Sequence, residues 1–322
     1  MTETIAGKKI GIKENLFKLR TLTGFAVAAV IIYLFLRGFD LKGAMVAISN
    51  ANLLFVILSI TVFYISLPLR AARWQILLKP AGQQVAIGPL SHYYFLSWFA
   101  NSILPARIGD VYRAYLLKKN KEVPVSLSLG VIFSERVFDL AITAILVVLS
   151  GSYFWSMLKN THEGNYLSWG LAITVGIVIF FILVALSLPL VIRILPEKFK
   201  GLAKTFQTGV FKWPALMPIV ILMTVAIWLS EALRLYLVFL ALGIKAGFLM
   251  AVFISQASLI LMAIPLSPAG LGLVEFLMLK ILASTGITSS MAGAATVADR
   301  LISYWILVAA GSIVYLLSPR TR

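Results

Sequence analysis

The chain has 322 residues, of which 61% are hydrophobic and 12% charged, and its mean hydropathy is +0.98. This composition excludes a soluble globular protein, in which roughly a quarter of the residues are charged. The net charge of +16 comes from basic residues placed between apolar runs, so we expect no nucleic-acid partner and assign the charge to anionic lipid head groups and membrane orientation. The chain contains no cysteine, and we expect neither a metal site nor a cofactor.

Most of the chain consists of apolar runs of the roughly 20 residues that a helix needs to cross a bilayer. The runs predict full spans at about 20–37, 51–70, 126–150, 166–192, 212–241 and 288–317. Two further apolar stretches, 88–118 and 247–282, are interrupted near their middle by Pro105 and by Pro265 with Pro268. Each half is too short to span comfortably, so both stretches are predicted to be re-entrant helical hairpins.

The distribution of basic residues indicates how these spans are oriented. If each hairpin enters and leaves on one side, 20 of the 28 basic residues fall on the cytoplasmic side, where lysine and arginine accumulate in membrane proteins. Five fall outside, and Arg136, Arg234 and Arg300 lie in or near the membrane. We therefore expect a multi-pass protein of the cell (inner or plasma) membrane with both termini in the cytoplasm.

Three short motifs recur in the same order in the two halves of the chain. The segment 70–73 (RAAR) recurs at 231–234 (EALR), 105–111 (PARIGDV) recurs at 268–274 (PAGLGLV), and 135–137 (ERV) recurs at 299–301 (DRL). The offsets are 161, 163 and 164 residues, and three ordered matches indicate a duplication. Equivalent points of the two copies are separated by a net of three membrane crossings. Because this number is odd, the second copy must be inverted relative to the first. The predicted fold is an all-α polytopic membrane protein with two inverted-topology repeats, each with spanning helices and a re-entrant helical hairpin.

These predictions divide the chain into six segments. In order they are a basic cytoplasmic N-terminus (1–19), the first transmembrane helix with an outer loop (20–50), membrane repeat 1 (51–154), a linking transmembrane helix with a cytoplasmic loop (155–211), the inverted membrane repeat 2 (212–317) and a cytoplasmic tail (318–322).

Charged residues occur inside the predicted spans, where each costs at least about 2.5 to 3.5 kcal/mol unless it faces protein or water. Glu135, Arg136 and Asp139 lie in the 126–150 span, and Asp299 and Arg300 occupy the matching place in the second copy. They are either an intramembrane salt-bridge lock or the lining of a polar cavity in which arginine meets an anionic group. Both interpretations remain open from the sequence.

The centres of the two predicted hairpins also indicate a site for an anionic group. Proline suits the first turn of a helix, so Pro105 and Pro268 are expected to open the returning half-helices, whose N-termini attract phosphate or carboxylate. Gly109, Gly270 and Gly272 are expected to allow close backbone approach. The remaining candidates for contact with a lipid head group are Arg70, Arg73, Arg107, Asp110, Arg113, Glu231, Arg234 and Glu275.

Taken together, these motifs resemble the lysylphosphatidylglycerol synthase transmembrane-region, or flippase-like, integral membrane family. The resemblance is carried by 70–74, 101–110, Glu135-Arg136 with Asp139, 268–272 with Glu275, and Asp299-Arg300, and it covers about 20–318. It implies lipid movement. In the best-known members a soluble aminoacyl-transferase domain is fused to this region, and the present sequence has no such domain, so aminoacylation is not implied.

The first functional hypothesis is a flippase-like transporter that moves an anionic phospholipid or a polyprenyl- or isoprenoid-linked lipid between leaflets through a polar cavity at the repeat interface. The alternatives are a membrane-embedded transferase and a non-catalytic partner of an enzyme of lipid or envelope-glycolipid synthesis. The sequence shows no recognisable catalytic motif, which favours a transporter over an enzyme. Membrane lipids, with an anionic head group, are the expected partners.

Overall fold

The computed structural model describes residues 40–104, 107–158, 162–263 and 268–318, and the regular elements within these ranges are all helical. The predicted first span (20–37), the basic N-terminus, Pro105 and most of the C-terminal tail lie outside the described residues. The helices are α1 (Leu41–Ser49), α2 (Leu53–Leu78), α3 (Ile87–Ile103), α4 (Ile108–Lys121), α5 (Val125–Leu158), α6 (His162–Ile194), α7 (Glu197–Phe211), α8 (Met217–Ala241), α9 (Phe248–Ala263), α10 (Leu273–Ser284), α11 (Ser289–Arg300) and α12 (Ile306–Leu317).

Several of these helices are apolar enough for a membrane. In the described part of the chain, three helical stretches are long and apolar enough to cross a bilayer, namely Leu53–Ala81, Glu197–Ala241 and Ser289–Leu317. They include the predicted spans 51–70, 212–241 and 288–317. The predicted spans 126–150 and 166–192 fall within α5 and α6, and α5 carries three charged residues in its middle. The architecture is that of an α-helical polytopic membrane protein.

The pair formed by α2 and α8 lies at the centre of the molecule and makes the most extensive helix–helix contact among the described residues. The two helices are antiparallel: the backbone N–H of Asn52 donates to the carbonyl of Ala241 at 2.8 Å, and the Ser59 hydroxyl donates to the carbonyl of Arg234 at 2.9 Å. Buried apolar side chains such as Phe239 fill the contact. This pair brings segment 70–73 on α2 close to segment 231–234 on α8, to which the repeat relates it.

Two helical hairpins flank the central pair. Helix α3 packs against α4, and α9 packs against α10. The expectation that Pro268 opens the returning helix is wrong, because α10 begins at Leu273. Helix α4 begins at Ile108, and the matching expectation for Pro105 falls outside the described residues. Pro268 instead starts a single 3₁₀ turn, Pro268–Gly270, in which Ala269 and Gly270 have positive φ angles of 48° and 68°. This turn redirects the chain before α10 begins.

A helix replaces much of the loop that was expected near residue 200. Helix α7 covers Glu197–Phe211 and packs against α5. Its apolar residues recur at helical spacing but are interspersed with lysines, so the apolar part of the Glu197–Ala241 stretch lies in α8 and not in α7. The close approach to α5 requires glycine, because a Cβ on Gly209 would overlap the carbonyl oxygen of Leu127 and a Cβ on Gly130 would overlap that of Phe206.

A buried cluster of arginines and carboxylates

The middle of α5 forms the first half of a charged cluster. Arg136 donates to both oxygens of the Asp110 carboxylate, from Nε to Oδ2 at 3.0 Å and from Nη2 to Oδ1 at 2.9 Å. Its Nη1 lies 3.3 Å from an Asp139 oxygen. Fork-shaped pairing of this kind fixes the guanidinium plane. Helix α5 is therefore tied to the first turn of α4, where Asp110 lies.

Two more arginines complete this half. Arg73 on α2 donates to Asp139 at 2.7 Å and to the Thr224 hydroxyl at 2.8 Å, and its Nε lies 3.7 Å from Glu135. Arg113 on α4 donates to Glu135 at 2.7 Å. The side chains of Arg73 and Arg113 are fully buried, whereas that of Arg136 is 19% exposed. Arg136 is thus the arginine of these three that a ligand can reach.

The second half of the cluster lies on α2, α8, α10 and α11. Arg70 donates to Glu231 at 2.9 Å, and Glu231 also pairs with Arg234 at 3.2 Å. Arg234 donates in turn to Asp299. Arg300 pairs with Glu275 through Nε at 2.8 Å. These charges are at least about 88% buried, so the pairs compensate one another in an environment where a lone charge is costly.

The two halves repeat the same arrangement. Asp110 is the third residue of α4 and Glu275 is the third residue of α10, and these carboxylates pair with Arg136 and Arg300 respectively. The repeat-related Arg70 and Glu231 pair with each other. Arg136 and Arg300, which the motifs relate to each other, therefore make similar contacts, although the motif alignment places Leu273 and not Glu275 opposite Asp110.

Aromatic side chains sandwich two of the arginines. The Arg70 guanidinium lies 5.0 Å from the ring centre of Trp98 and 4.7 Å from that of Trp228. Arg113 lies similarly between Trp74 and Tyr94. Such cation–π contacts stabilise buried guanidinium groups. Because each of these rings lies on a different helix from the arginine that it contacts, except Trp74, which shares no helix with Arg113 either, no spacing in the sequence indicated this role.

The hairpin ends are closely packed on the cluster. A Cβ on Gly109 would overlap the carbonyl oxygen of Ser97, and the Gly109 N–H donates to the Asn101 side chain at 2.8 Å. At the other hairpin, the N–H of Gly272, which has a φ of 86°, donates to Glu275 at 2.7 Å. Glu275 therefore caps α10 and holds Arg300 at the same time. Only a residue without a side chain fits at Gly109.

A cavity of about 370 Å³ opens beside the cluster, within the size range of small-molecule sites. Its charged lining residues are Arg70, Arg107, Arg136, Glu231, Arg234, Asp299 and Arg300, and its apolar wall includes Trp98, Trp228, Met262 and Leu307. A second cavity, of about 680 Å³, lies between α5, α6 and α9. Arg107 and Arg136 line both cavities, so they stand at the boundary between them.

Arg107 differs from the other arginines of the cluster. Within the described residues its guanidinium makes no hydrogen bond and no ion pair within 4.0 Å, although it is half-buried. Its backbone has a φ of 53°, a strained conformation for a residue with a side chain. Seven arginines and six carboxylates make up the cluster and its lining, so one positive charge is left without a partner among them.

All thirteen charged residues predicted for the site lie in this cluster or line its cavities. Four of them, Arg73, Arg113, Glu135 and Glu275, line neither cavity. Glu135, which was expected to line the cavity beside Arg136, is fully buried against Arg113. The turn of α5 points it toward α4 instead. Asn101, Thr224 and Tyr304 also contact this region and were not identified from the sequence. Tyr304 lies in a π-helical turn, Leu301–Trp305, a feature often found at functional sites.

Comparison with known proteins places the chain in a family. Residues 21–311 match the model of the lysylphosphatidylglycerol synthase TM region. The UPF0104 membrane protein MJ1078 of Methanocaldococcus jannaschii is 36% identical, over 69% of this chain and 95% of its own length. PH1989 of Pyrococcus horikoshii, another UPF0104 membrane protein, is 25% identical over 83% of this chain and 88% of its own.

A further relative has a different name. Glycosyltransferase AglD of Haloferax volcanii is 26% identical over 90% of this chain, but the match covers only 52% of that protein. The chain therefore spans about half of the glycosyltransferase and nearly all of MJ1078. With its apolar helices and these matches, the chain belongs to the lysylphosphatidylglycerol synthase TM region family of membrane proteins, which includes the UPF0104 proteins.

Proposed function

We propose that this protein moves a lipid with an anionic head group between the leaflets of the cell membrane. The observation that carries the proposal is the guanidinium of Arg107, which has no hydrogen-bond or ion-pair partner among the described residues and lies beside Arg136 in the lining of the cavity. Arginine stays protonated and binds phosphate through parallel hydrogen bonds. A phosphodiester carries one negative charge, which matches the net charge of +1 that the seven arginines and six carboxylates leave.

The cavity has the mixed lining that a lipid requires. Arg107, Arg136 and Arg300 supply charge on one side, while tryptophan, methionine and leucine side chains form the other. In this proposal the head group occupies the polar side, and the hydrocarbon chains remain in the apolar cavity between α5, α6 and α9 or in the surrounding lipid. An anionic phospholipid and a polyprenyl- or isoprenoid-linked phosphate share the chemistry that this lining recognises.

The proposed transport path lies between two inverted repeats. The matched pairs Arg136–Asp110 and Arg300–Glu275 and the pair Arg70–Glu231 support this symmetry. The hairpins α3–α4 and α9–α10 would then be re-entrant and enter the membrane from opposite sides. With both termini in the cytoplasm, most basic residues face the anionic inner leaflet. Transporters of this build place their substrate at the repeat interface.

A transport assay in reconstituted liposomes tests the proposal. The purified protein should speed the movement of a fluorescent phosphatidylglycerol between leaflets, as measured by chemical quenching of the outer leaflet. The variant Arg107→Gln should reduce the rate, whereas Lys118→Gln, an exposed lysine outside the cluster, should not. Equal rates in protein-free liposomes and in liposomes with the protein, for both phosphatidylglycerol and an anionic polyprenyl phosphate, would contradict the proposal.

The name of one relative supports a second candidate. About half of the Haloferax volcanii glycosyltransferase matches 90% of this chain. The second candidate is therefore a membrane-embedded transferase, or a partner that presents a lipid-linked substrate to such an enzyme. This candidate predicts binding of a lipid-linked sugar without movement between leaflets. Mass spectrometry of lipids that co-purify with the protein, combined with the transport assay, separates the two.

A further inference from the structure

Helix α7 has two faces of opposite character. Phe199, Leu202, Phe206 and Val210 recur at spacings of three and four residues and form one apolar face. Apart from Ala203 and Phe211, the rest of the helix surface is polar and basic. Its lysines, together with the one at its C-terminal cap, are Lys198, Lys200, Lys204 and Lys212, against the single acidic residue Glu197.

Helix α5 covers only one half of the apolar face. In the C-terminal half of α7, Gly209 and Val210 are buried and the Gly209 backbone meets α5 directly. In the N-terminal half, Phe199 is 41% exposed and Leu202 is 55% exposed. Among the described residues these two side chains therefore present an uncovered apolar surface next to lysine side chains.

We infer that the N-terminal half of α7 lies on the membrane surface and binds anionic lipid head groups. Phe199 and Leu202 enter the boundary between head groups and hydrocarbon, and the lysines contact the phosphates. A basic amphipathic helix of low overall hydrophobicity has the composition of helices that lie in the plane of the bilayer surface. The charge complementarity between Lys198, Lys200 and Lys204 of this half and an anionic leaflet selects this occupant over a second apolar helix.

The position of α7 connects this surface to the charged cluster. The Ser134 hydroxyl donates to the carbonyl of Val210 at 3.0 Å, and the Trp213 indole donates to Ser134 at 3.3 Å and packs on Phe138. Ser134 immediately precedes Glu135 and Arg136. Anionic lipid that holds α7 on the surface thus also holds the part of α5 that carries the cluster.

Site-directed spin labelling tests the inference, because the chain contains no cysteine and a single introduced one is unique. Leu202→Cys places the label on the apolar face. Gly201→Cys is the matched control, since this neighbouring position is exposed and a Cβ there has no atom within 4 Å. In lipid nanodiscs, the label at 202 should be more accessible to oxygen and the label at 201 to a water-soluble nickel chelate. Greater access of the nickel chelate than of oxygen to residue 202 would overturn the inference.

A change of lipid composition tests whether the lysines of α7 bind anionic head groups. Replacing part of the phosphatidylcholine by phosphatidylglycerol should move the label at 202 deeper, and glutamine at Lys198, Lys200 and Lys204 should abolish this shift. Glutamine at Lys118, Lys119 and Lys121, three exposed lysines at the end of α4, should leave it unchanged. An absent shift, or a shift lost equally in both variants, would refute lipid binding by α7. Neither result depends on whether the protein transports lipid.

Discussion

Neutralising Glu231 should destabilise the protein more than neutralising its partner Arg70. The Arg70 side chain is only 4% exposed, and Glu231 is the one carboxylate that pairs with it within 4.0 Å among the described residues. In Glu231→Gln, Arg70 keeps only its two tryptophan contacts. Removing one partner of a buried ion pair costs about 3–5 kcal/mol. The amide retains one hydrogen-bond acceptor, so we expect about 3 kcal/mol.

Neutralising Arg70 instead leaves Glu231 without this partner. In Arg70→Met the unbranched side chain still fills the space between Trp98 and Trp228, and Glu231 keeps Arg234 at 3.2 Å. The remaining loss is one charge-assisted hydrogen bond, worth about 1.5–3 kcal/mol. Because Glu231 is still compensated, we expect a cost at the lower end of that range.

The double variant tests whether Arg70 and Glu231 act as a coupled pair. Arg70→Met in the Glu231→Gln background removes the unpaired cation, so the double variant should be more stable than Glu231→Gln alone. The assay is the free energy of unfolding in mixed micelles, measured by titration with a denaturing detergent. If Arg70→Met costs as much as Glu231→Gln and the two costs add in the double variant, the pair is not the coupled unit described above.

Other variants test separate features. Gly109→Ala should destabilise the α3–α4 hairpin by about 3 kcal/mol through overpacking, whereas Gly176→Ala, where a Cβ has open space, should change thermal stability little; equal effects would refute the close packing. Arg136→Lys should impair lipid transport and Arg136→Ala should abolish it, because lysine keeps the charge but not the fork that meets Asp110; if Arg136→Ala and Arg300→Ala both fold and transport normally, these residues are structural. A reporter fused after residue 322 should be active only in the cytoplasm, and a periplasmic signal would overturn the inverted-repeat argument.

The sequence was informative about the charged cluster because buried charges in apolar runs have few explanations. Arg136 and Arg300 stand out by their cost in a membrane, and the repeat relates them to each other. Their partners were harder to assign. Nothing in the spacing shows that Asp110 and Glu275 each reach the arginine of the next helix, since that depends on how α4 and α10 begin.

The parts of the fold that were missed depend on local backbone geometry. The positions of the prolines indicated where each hairpin turns, but not that a 3₁₀ turn would follow Pro268 and delay the next helix to Leu273. The basic segment before residue 212 was interpreted as a loop, because hydropathy identifies spans and overlooks a short amphipathic helix such as α7. The unpaired state of Arg107 could be learned only from the positions of its neighbours.

The most direct test of the proposed function is the rate at which proteoliposomes move a fluorescent phosphatidylglycerol between leaflets, compared with the same measurement for fluorescent phosphatidylcholine. The account predicts faster movement of the anionic lipid with the unmodified protein. It also predicts that Arg107→Gln lowers this rate while Lys118→Gln does not, with folding of each variant checked by its unfolding transition. Equal movement of both lipids, unaffected by Arg107→Gln in a folded protein, would contradict the claim that this cavity selects an anionic head group.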